Sequence, residues 1–530
     1  MYKKFLLVFI LLFSGQKVYL QEVYHHIFNE DIYAFLEEMA DAHFIEINSI
    51  ARPWSRKYIA EKLSELEARY DQLTTVQQKE VDFYLKDFNK ELKPDNHFRK
   101  RFDILYYKDS LFTFSANLIL GIEYRNNAKG RLHHRWNGAE AFAYAGTHWG
   151  FYASLRDNHD SEPFRNPQYL NRFPGANYKG DHDFSEMRGG VTYSWKWGSV
   201  GLLKDHFVWG DNFNGSNIFS GRTPSYVYLN LHLMPVEWFD FRYVHGWLAS
   251  MVVDSARSYW FQDGEEMTYR RMYHPKFMAA NLFTLKPWRR LYLTFGNSII
   301  YDYRNSYPAY LIPFVFFKSI DHTANAGIDN MNSQMFFGVT SRQIKYLHLF
   351  ATLFLDEIAI SRMFKPEEHS NFYSLKVGGA LSNWPLKNVG LKLEYTRTNP
   401  LTFQHYVPTL TFASNRYNLG SYLKDNAQQI YLAVNIRPLR GLFTEISYTA
   451  SQKGPDYTYL GNHGRLGLPF METVDWSSKT LRLYTRYQVV NDAYVTASFS
   501  HRQVTGNPAY TPPYWQGNTG TFSVGVNFGF

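Results

Sequence analysis

Cysteine is absent from all 530 residues. That removes a disulfide framework, a thiolate metal site, a cysteine nucleophile and a lipoprotein anchor. Beyond the N-terminus, no run approaches the ~20 apolar residues a spanning helix needs, which excludes a polytopic helical membrane protein. Charged residues are few, at 20 %. G-x-S-x-G, H-E-x-x-H, P-loop and G-x-G-x-x-G patterns are all missing, so no familiar nucleophile, zinc or phosphate motif announces chemistry. Against these absences stand 41 Tyr and 43 Phe, more rings than one soluble core needs.

Met1–Leu20 carries Lys3 and Lys4 before nine apolar residues, Phe5 to Phe13, and reads as a secretory signal cut before Gln21. Its removal takes Lys3, Lys4 and Lys17 and lowers the net charge from +8 to +5, too mild for a nucleic-acid partner. Residues 21–100 read as a helical bundle. Ile32, Phe35, Leu36 and Met39 recur at helical spacing behind Asn29 as N-cap. Ile59, Leu63, Leu66 and Tyr70 follow Ser55, and Val81, Tyr84, Leu85, Phe88 and Leu92 follow a Thr74-x-x-Gln77 capping box.

Residues 101–530 change period. Phe112, Phe114, Ala116, Leu118, Leu120, Ile122 and Tyr124 alternate with Thr113, Ser115, Asn117 and their like, so one strand face is apolar. About eighteen such strands follow to the end of the chain. Connections alternate short and long. Gly198-Ser199, Lys286–Arg289, Pro438–Gly441 and Asn491-Asp492 are short; Asp157–Asp183, Ser250–His274, Asp302–Ser333, Asn399–Ala427 and Ser451–Ser478 are long. This predicts a transmembrane antiparallel β-barrel with periplasmic short turns and extracellular loops. Trp149, Trp197, Trp238, Trp288 and Trp384 lie at short turns, as an interfacial girdle would place them. The ending through Phe528 to Phe530 resembles the signal read by barrel-assembly machinery, and the wall would contact outer-membrane lipid and lipopolysaccharide.

The face opposite the apolar one carries Glu123, Arg125, Glu186, Arg188, Asp205, His206, Lys392, Glu394, Arg437, Glu445, Arg482 and Arg486. Both signs on neighbouring strands suit a cross-linked, occluded lumen better than an ion-selective pore. Lys204-Asp205-His206 beside Trp209 is the densest polar knot; it fits an acid–base pair or a mutually satisfied network. His133-His134, read as loop histidines, and the adjacent Asp356-Glu357 cannot share a site on a strand, where neighbours diverge. No metal or cofactor is expected. In the long loops, Asp157, Asn158, His159, Arg165, Tyr169, His405, Tyr406, Arg416, Tyr417, Tyr457, Tyr459 and His463 mix aromatic platforms with hydrogen-bonding groups, a chemistry suited to sugar rings.

With these residues in view the chain resembles the Wzi family of capsule-assembly outer-membrane proteins, in the form common among Bacteroidota-like bacteria. The resemblance rests on the layout and on IYAFLEEMADAHFIEIN from Ile32, MRGGVTYSWKWGSVGLLKDHFVWG from Met187, FSGRTPS from Phe219, NSQMFFG from Asn332 and EYTRTNP from Glu394. It implies a lectin-like monomer that retains capsular or other surface polysaccharide without catalysis or export, its barrel closed. A porin-like channel and a scaffold in an outer-membrane complex are the alternatives.

Overall fold

A computed structural model describes residues 21–93, 98–324, 330–357, 360–362, 365, 368, 371–458 and 467–529. The signal segment, Tyr459, His463 and Phe530 lie outside them.

Three helices come first: α1 (Glu30–Asp41), α2 (Arg56–Glu67) and α3 (Thr75–Leu92). Ser55 caps α2 and the Thr74/Gln77 box caps α3, each satisfying backbone donors that a helix start leaves free. Asn29 precedes α1, but its side chain makes no capping bond. The apolar stripes meet as expected: Phe35, Leu36 and Met39 pack with Ile59, Leu63, Leu66, Val81 and Phe88.

Eighteen antiparallel strands then close a barrel. They are β1 (Phe112–Asn127), β2 (Gly130–Ala145), β3 (Trp149–Asp160), β4 (Asp183–Trp195), β5 (Gly198–Asp205), β6 (Tyr226–Val236), β7 (Phe239–Val253), β8 (Tyr273–Trp288) and β9 (Leu291–Tyr301). The second half is β10 (Met331–Ser341), β11 (Leu347–Glu357), β12 (Phe372–Ser382), β13 (Val389–Thr398), β14 (Ala427–Leu439), β15 (Leu442–Lys453), β16 (Trp476–Val490), β17 (Ala493–Gly506) and β18 (Gly517–Phe528). Pairing of Phe522 with Asn126 and Phe528 with Leu120 seals β18 to β1. Closure pairs each of the eighteen on both sides, and a short segment, Leu105–Lys108, adds to one flank of β1 at Thr113–Ala116.

Period two sorts the faces. On β1, Ser115, Asn117 and Arg125 are 0, 6 and 6 % exposed, whereas Leu118, Leu120 and Tyr124 are 45, 48 and 54 %. The outward face is therefore apolar, and Trp149, Trp197, Trp238, Trp288 and Trp384 ring it, exposed, at the short-turn end.

Several connections differ from the sequence reading. The tight turn after β4 is Lys196-Trp197, with Gly198-Ser199 already in β5. Asn127–Gly130 is tight although it lies at the long-loop end, so the alternation has one exception. β3 extends through Asp160, so the first long loop starts at Ser161, and His133-His134 sit within β2 rather than in a loop. Strand pairing outlasts the apolar alternation in both places because backbone hydrogen bonds do not need apolar side chains.

Candidate functional site

The helices sit against the short-turn end of the barrel and are bonded to it turn by turn. Arg342 Nε donates to Asp41 at 2.8 Å, and Ser382 Oγ to the same carboxylate at 2.7 Å. Arg437 pairs with Glu38 at 3.2 Å, and Arg486 pairs with Asp31. The Gly441 backbone donates to Glu80 at 2.8 Å, and Asn491 to the Phe83 carbonyl at 3.2 Å. Acids on the helices thus meet basic groups and backbone donors at the ends of the strands.

From the other end a long connection, residues 206–225, dives into the lumen. Trp209 N donates to the Phe219 carbonyl at 3.0 Å, and Gly210 N to the Ile50 carbonyl at 2.8 Å, so loop and head meet inside the barrel. Trp209, Ile218 and Phe219 pack with Phe336, Phe354, Phe403, Phe412 and Met278 in one buried cluster. Each ring fully buried this way contributes about 1.5–3 kcal/mol. Asn217, 0 % exposed, anchors the tip through the Ser374 carbonyl at 2.9 Å and Thr352 Oγ1 at 2.7 Å. The lumen is thus closed by an apolar plug as well as by charge pairs. Sequence periodicity missed the plug because residues 206–225 have neither strand nor helix period.

Charge pairs and ring contacts line the inner face. Arg125 grips Glu123 through two bonds of 3.0 and 2.6 Å, and Arg156 donates to Glu186 at 2.8 Å. Glu394 pairs with Lys376 and accepts from the Phe213 backbone. Tyr431 donates to Glu445 at 3.1 Å. Lys392 lies 5.6 Å from the Phe213 ring, and Arg482 4.4 Å from that of Tyr484.

Asp205 is 1 % exposed and its oxygens are taken by Arg188 Nε and Nη2 at 2.7 and 2.9 Å, Tyr152 Oη at 2.7 Å and the His206 backbone at 2.7 Å. Of the two readings of this knot, the mutually satisfied network fits the geometry; an acid–base pair would need a free oxygen and access. Lys204 points away, to the Met187 carbonyl at 2.8 Å. His26 Nε2 lies 3.4 Å from His206 Nδ1 and 4.0 Å from Asp205. These are metal-ligand atom types, but the Arg188 guanidinium already holds the carboxylate where a cation would need it. Burial lowers the pKa of His26.

The predicted sugar-contact residues separate into framework and surface. Tyr417, 1 % exposed, donates to the Arg165 carbonyl and accepts from Ala176 N at 3.1 Å. Gly175 lets the chain pass close by: a Cβ there would lie 2.7 Å from Pro224 Cδ and 2.9 Å from the Tyr417 ring, so one of them would have to shift. Arg165 is buried, its guanidinium 4.9 Å from the Phe184 ring, and Tyr169 gives its carbonyl to Arg222 at 2.8 Å. These three hold the loops together. Asn158 faces inward against His134 at 3.2 Å. Asp157 and His159 are strand residues on the outer wall, bonded to Ser185 at 2.6 Å and Asp183 at 2.8 Å. Arg416 is exposed and His405 and Tyr406 are half-buried, their rings 4.2 Å apart; Tyr457 donates to Glu472 at 3.0 Å.

The most prominent aromatic platform was not among those residues. A hairpin, Tyr259–Asp263 with Glu266–Arg270, projects from the long-loop end. Trp260 is 63 % and Tyr269 38 % exposed, their rings 5.1 Å apart. Asp263-Gly264 between alternating aromatics is the signal that marks it, with Gly264 at φ +66°.

In fold the chain is similar to Wzi. That structure is titled an outer membrane protein involved in group 1 capsule assembly in Escherichia coli and a carbohydrate-binding β-barrel; it superposes with a TM-score of 0.59 at 11 % identity, over 96 % of this chain and 99 % of that one. Acinetobacter baumannii OccAB3 (TM-score 0.42, 10 % identity, 78 % and 98 % covered) and Pseudomonas aeruginosa OccK3 (0.42, 10 %, 78 % and 95 %) are further matches. Neither a protein-family model nor a curated protein matches the sequence.

Proposed function

We propose that the chain is a non-enzymatic outer-membrane lectin that retains capsular or other surface polysaccharide at the cell exterior. In this reading residues 1–20 are a signal peptide, residues 21–100 a periplasmic head and residues 101–530 the barrel. The observation that carries it is similarity to the Wzi fold across nearly the whole chain, combined with a lumen plugged from both ends. A plugged lumen favours a binder over a diffusion channel. Exposed rings at the long-loop end offer what saccharides need: an apolar face to stack on, with Arg270 and Arg271 next to Tyr269 in sequence to supply hydrogen bonds. Catalysis has no support from Asp205 and His206, which are buried and internally satisfied.

Deletion of the gene followed by capsule staining tests the role, and a pull-down of the cells' own polysaccharide by the purified protein tests the contact. Capsule that stays attached in the deletant, with no retention in the pull-down, overturns it.

A further inference from the structure

One long connection leaves the barrel mouth and lies on the outside of the wall. Residues 302–324 follow β9, yet their contacts are with outward-facing side chains of β7, β8 and β9. Tyr243 Oη donates to the Tyr310 carbonyl at 2.7 Å. Asn281 Nδ2 donates to the Pro313 and Val315 carbonyls at 3.0 and 2.9 Å, and Asn297 Oδ1 accepts from Phe317 N at 2.9 Å. The Phe314 ring stacks on Phe241 at 4.4 Å. Beneath it the wall is dry: Phe241, Ala279, Ile299 and Tyr301 are each 0 % exposed, although their strand neighbours Leu293 and Phe295 on the same face are 40 and 41 %.

The height of these contacts is what matters. Asn281 is seven residues above Trp288 of the aromatic girdle, which at about 3.3 Å per residue and ~40° tilt is roughly 18 Å along the barrel axis. Phe241 is three residues above Trp238, about 8 Å. Both fall inside an apolar band about 25 Å tall. Tyr307 to Phe317 contains no charged residue, and the outer surface of this strap shows Leu311, Ile312, Phe314 and Phe316, 41, 52, 55 and 46 % exposed. The strap therefore continues the lipid-facing wall in chemistry as well as in position. Asn297 Nδ2 donates to Asn281 Oδ1 at 2.7 Å, and the strap backbone takes the Asn281 amide hydrogens and the Asn297 oxygen, polar groups that would be costly to leave open in hydrocarbon.

We propose that residues 307–317 are immersed in the hydrocarbon layer of the outer membrane, with acyl chains packing on Leu311, Ile312, Phe314 and Phe316. This rests on the outer-membrane reading above. The segment thus covers a polar seam in the wall and is solvated by lipid.

The cysteine-free chain allows a direct test. Bimane is attached at Phe314→Cys, Ile312→Cys, Leu432→Cys on the bare wall and Asp263→Cys in the projecting hairpin. Each protein is reconstituted in phosphatidylcholine vesicles with or without brominated acyl chains. Brominated lipid should lower emission at positions 312, 314 and 432 several-fold, and aqueous iodide should lower it at 263 alone. Quenching of 312 and 314 by iodide with 432 still lipid-quenched overturns the strap and spares the barrel. Protection of 312 and 314 from both quenchers means a protein covers them, and also overturns it. A lipid-insensitive 432 sinks the outer-membrane reading and the inference with it.

Discussion

Asp41→Ala should free the helical head from the barrel locally without unfolding the wall. The carboxylate accepts from Arg342 Nε and Ser382 Oγ, while Arg342 also donates to Ser49 Oγ at 2.9 Å and contacts His348 at 3.2 Å. Arg342 is 2 % exposed. Removing its paired anion leaves a buried guanidinium hydrogen-bonded to Ser49 and His348, with Asp211 and Glu37 as the remaining anions that act on it, a loss of about 3–5 kcal/mol. Replacing both members by apolar residues, Asp41→Leu with Arg342→Met, removes the stranded charge and should return most of that loss, to within about 1 kcal/mol of wild type. Native-state hydrogen exchange of the α1 amides reads the free energy of this local opening. An Asp41→Ala protein whose α1 exchanges within about 1 kcal/mol of wild type refutes the reasoning. So does a double variant as weak as the single one.

Tyr417→Phe removes the hydroxyl that bridges two long loops; an opening cost of about 1–2 kcal/mol should appear as faster protease cleavage within residues 161–182. His25, packed against Phe88 with ring centroids 5.4 Å apart, has its pKa lowered to about 3 by burial and secondarily by Arg56. Its stabilising contribution is whole above the unfolded value near 6.5 and is lost as pH falls below it, by up to ~1.4 kcal/mol per pH unit. A pH series of α1 exchange should show this decline, shallower in His25→Phe. Trp260→Ala and Tyr269→Ala should each weaken polysaccharide retention about tenfold in a pull-down titration, equivalent to ~1.4 kcal/mol, with folding unchanged. Planar-bilayer recording of the intact protein should be silent, and replacing residues 207–219 with a short glycine–serine linker should raise conductance.

Much of this molecule was legible because strand and helix periodicities are local. Alternation at Leu118, Leu120 and Tyr124 against Ser115 and Asn117 needs no knowledge of partners to assign faces, and the Thr74/Gln77 box marks a helix start within four residues. The charged lumen followed from the same parity. Loop residues were harder. Tyr417 and Arg165 have a sugar-binding composition, but burial turned them into scaffolding, because a hydroxyl that reaches two backbone groups cannot also reach a ligand. Trp260 and Tyr269 were passed over although an Asp-Gly turn sat between their strands.

Read alone, the amino-acid order determines the cylinder, its apolar outside, its polar inside and the helical head, since each follows from side-chain direction along a single element. Only the tertiary structure decides where the aperiodic stretches go. It sends residues 206–225 inward to an apolar cluster and residues 302–324 outward over Asn281 and Asn297. Both choices depend on contacts between residues far apart in the chain, and no local period encodes them.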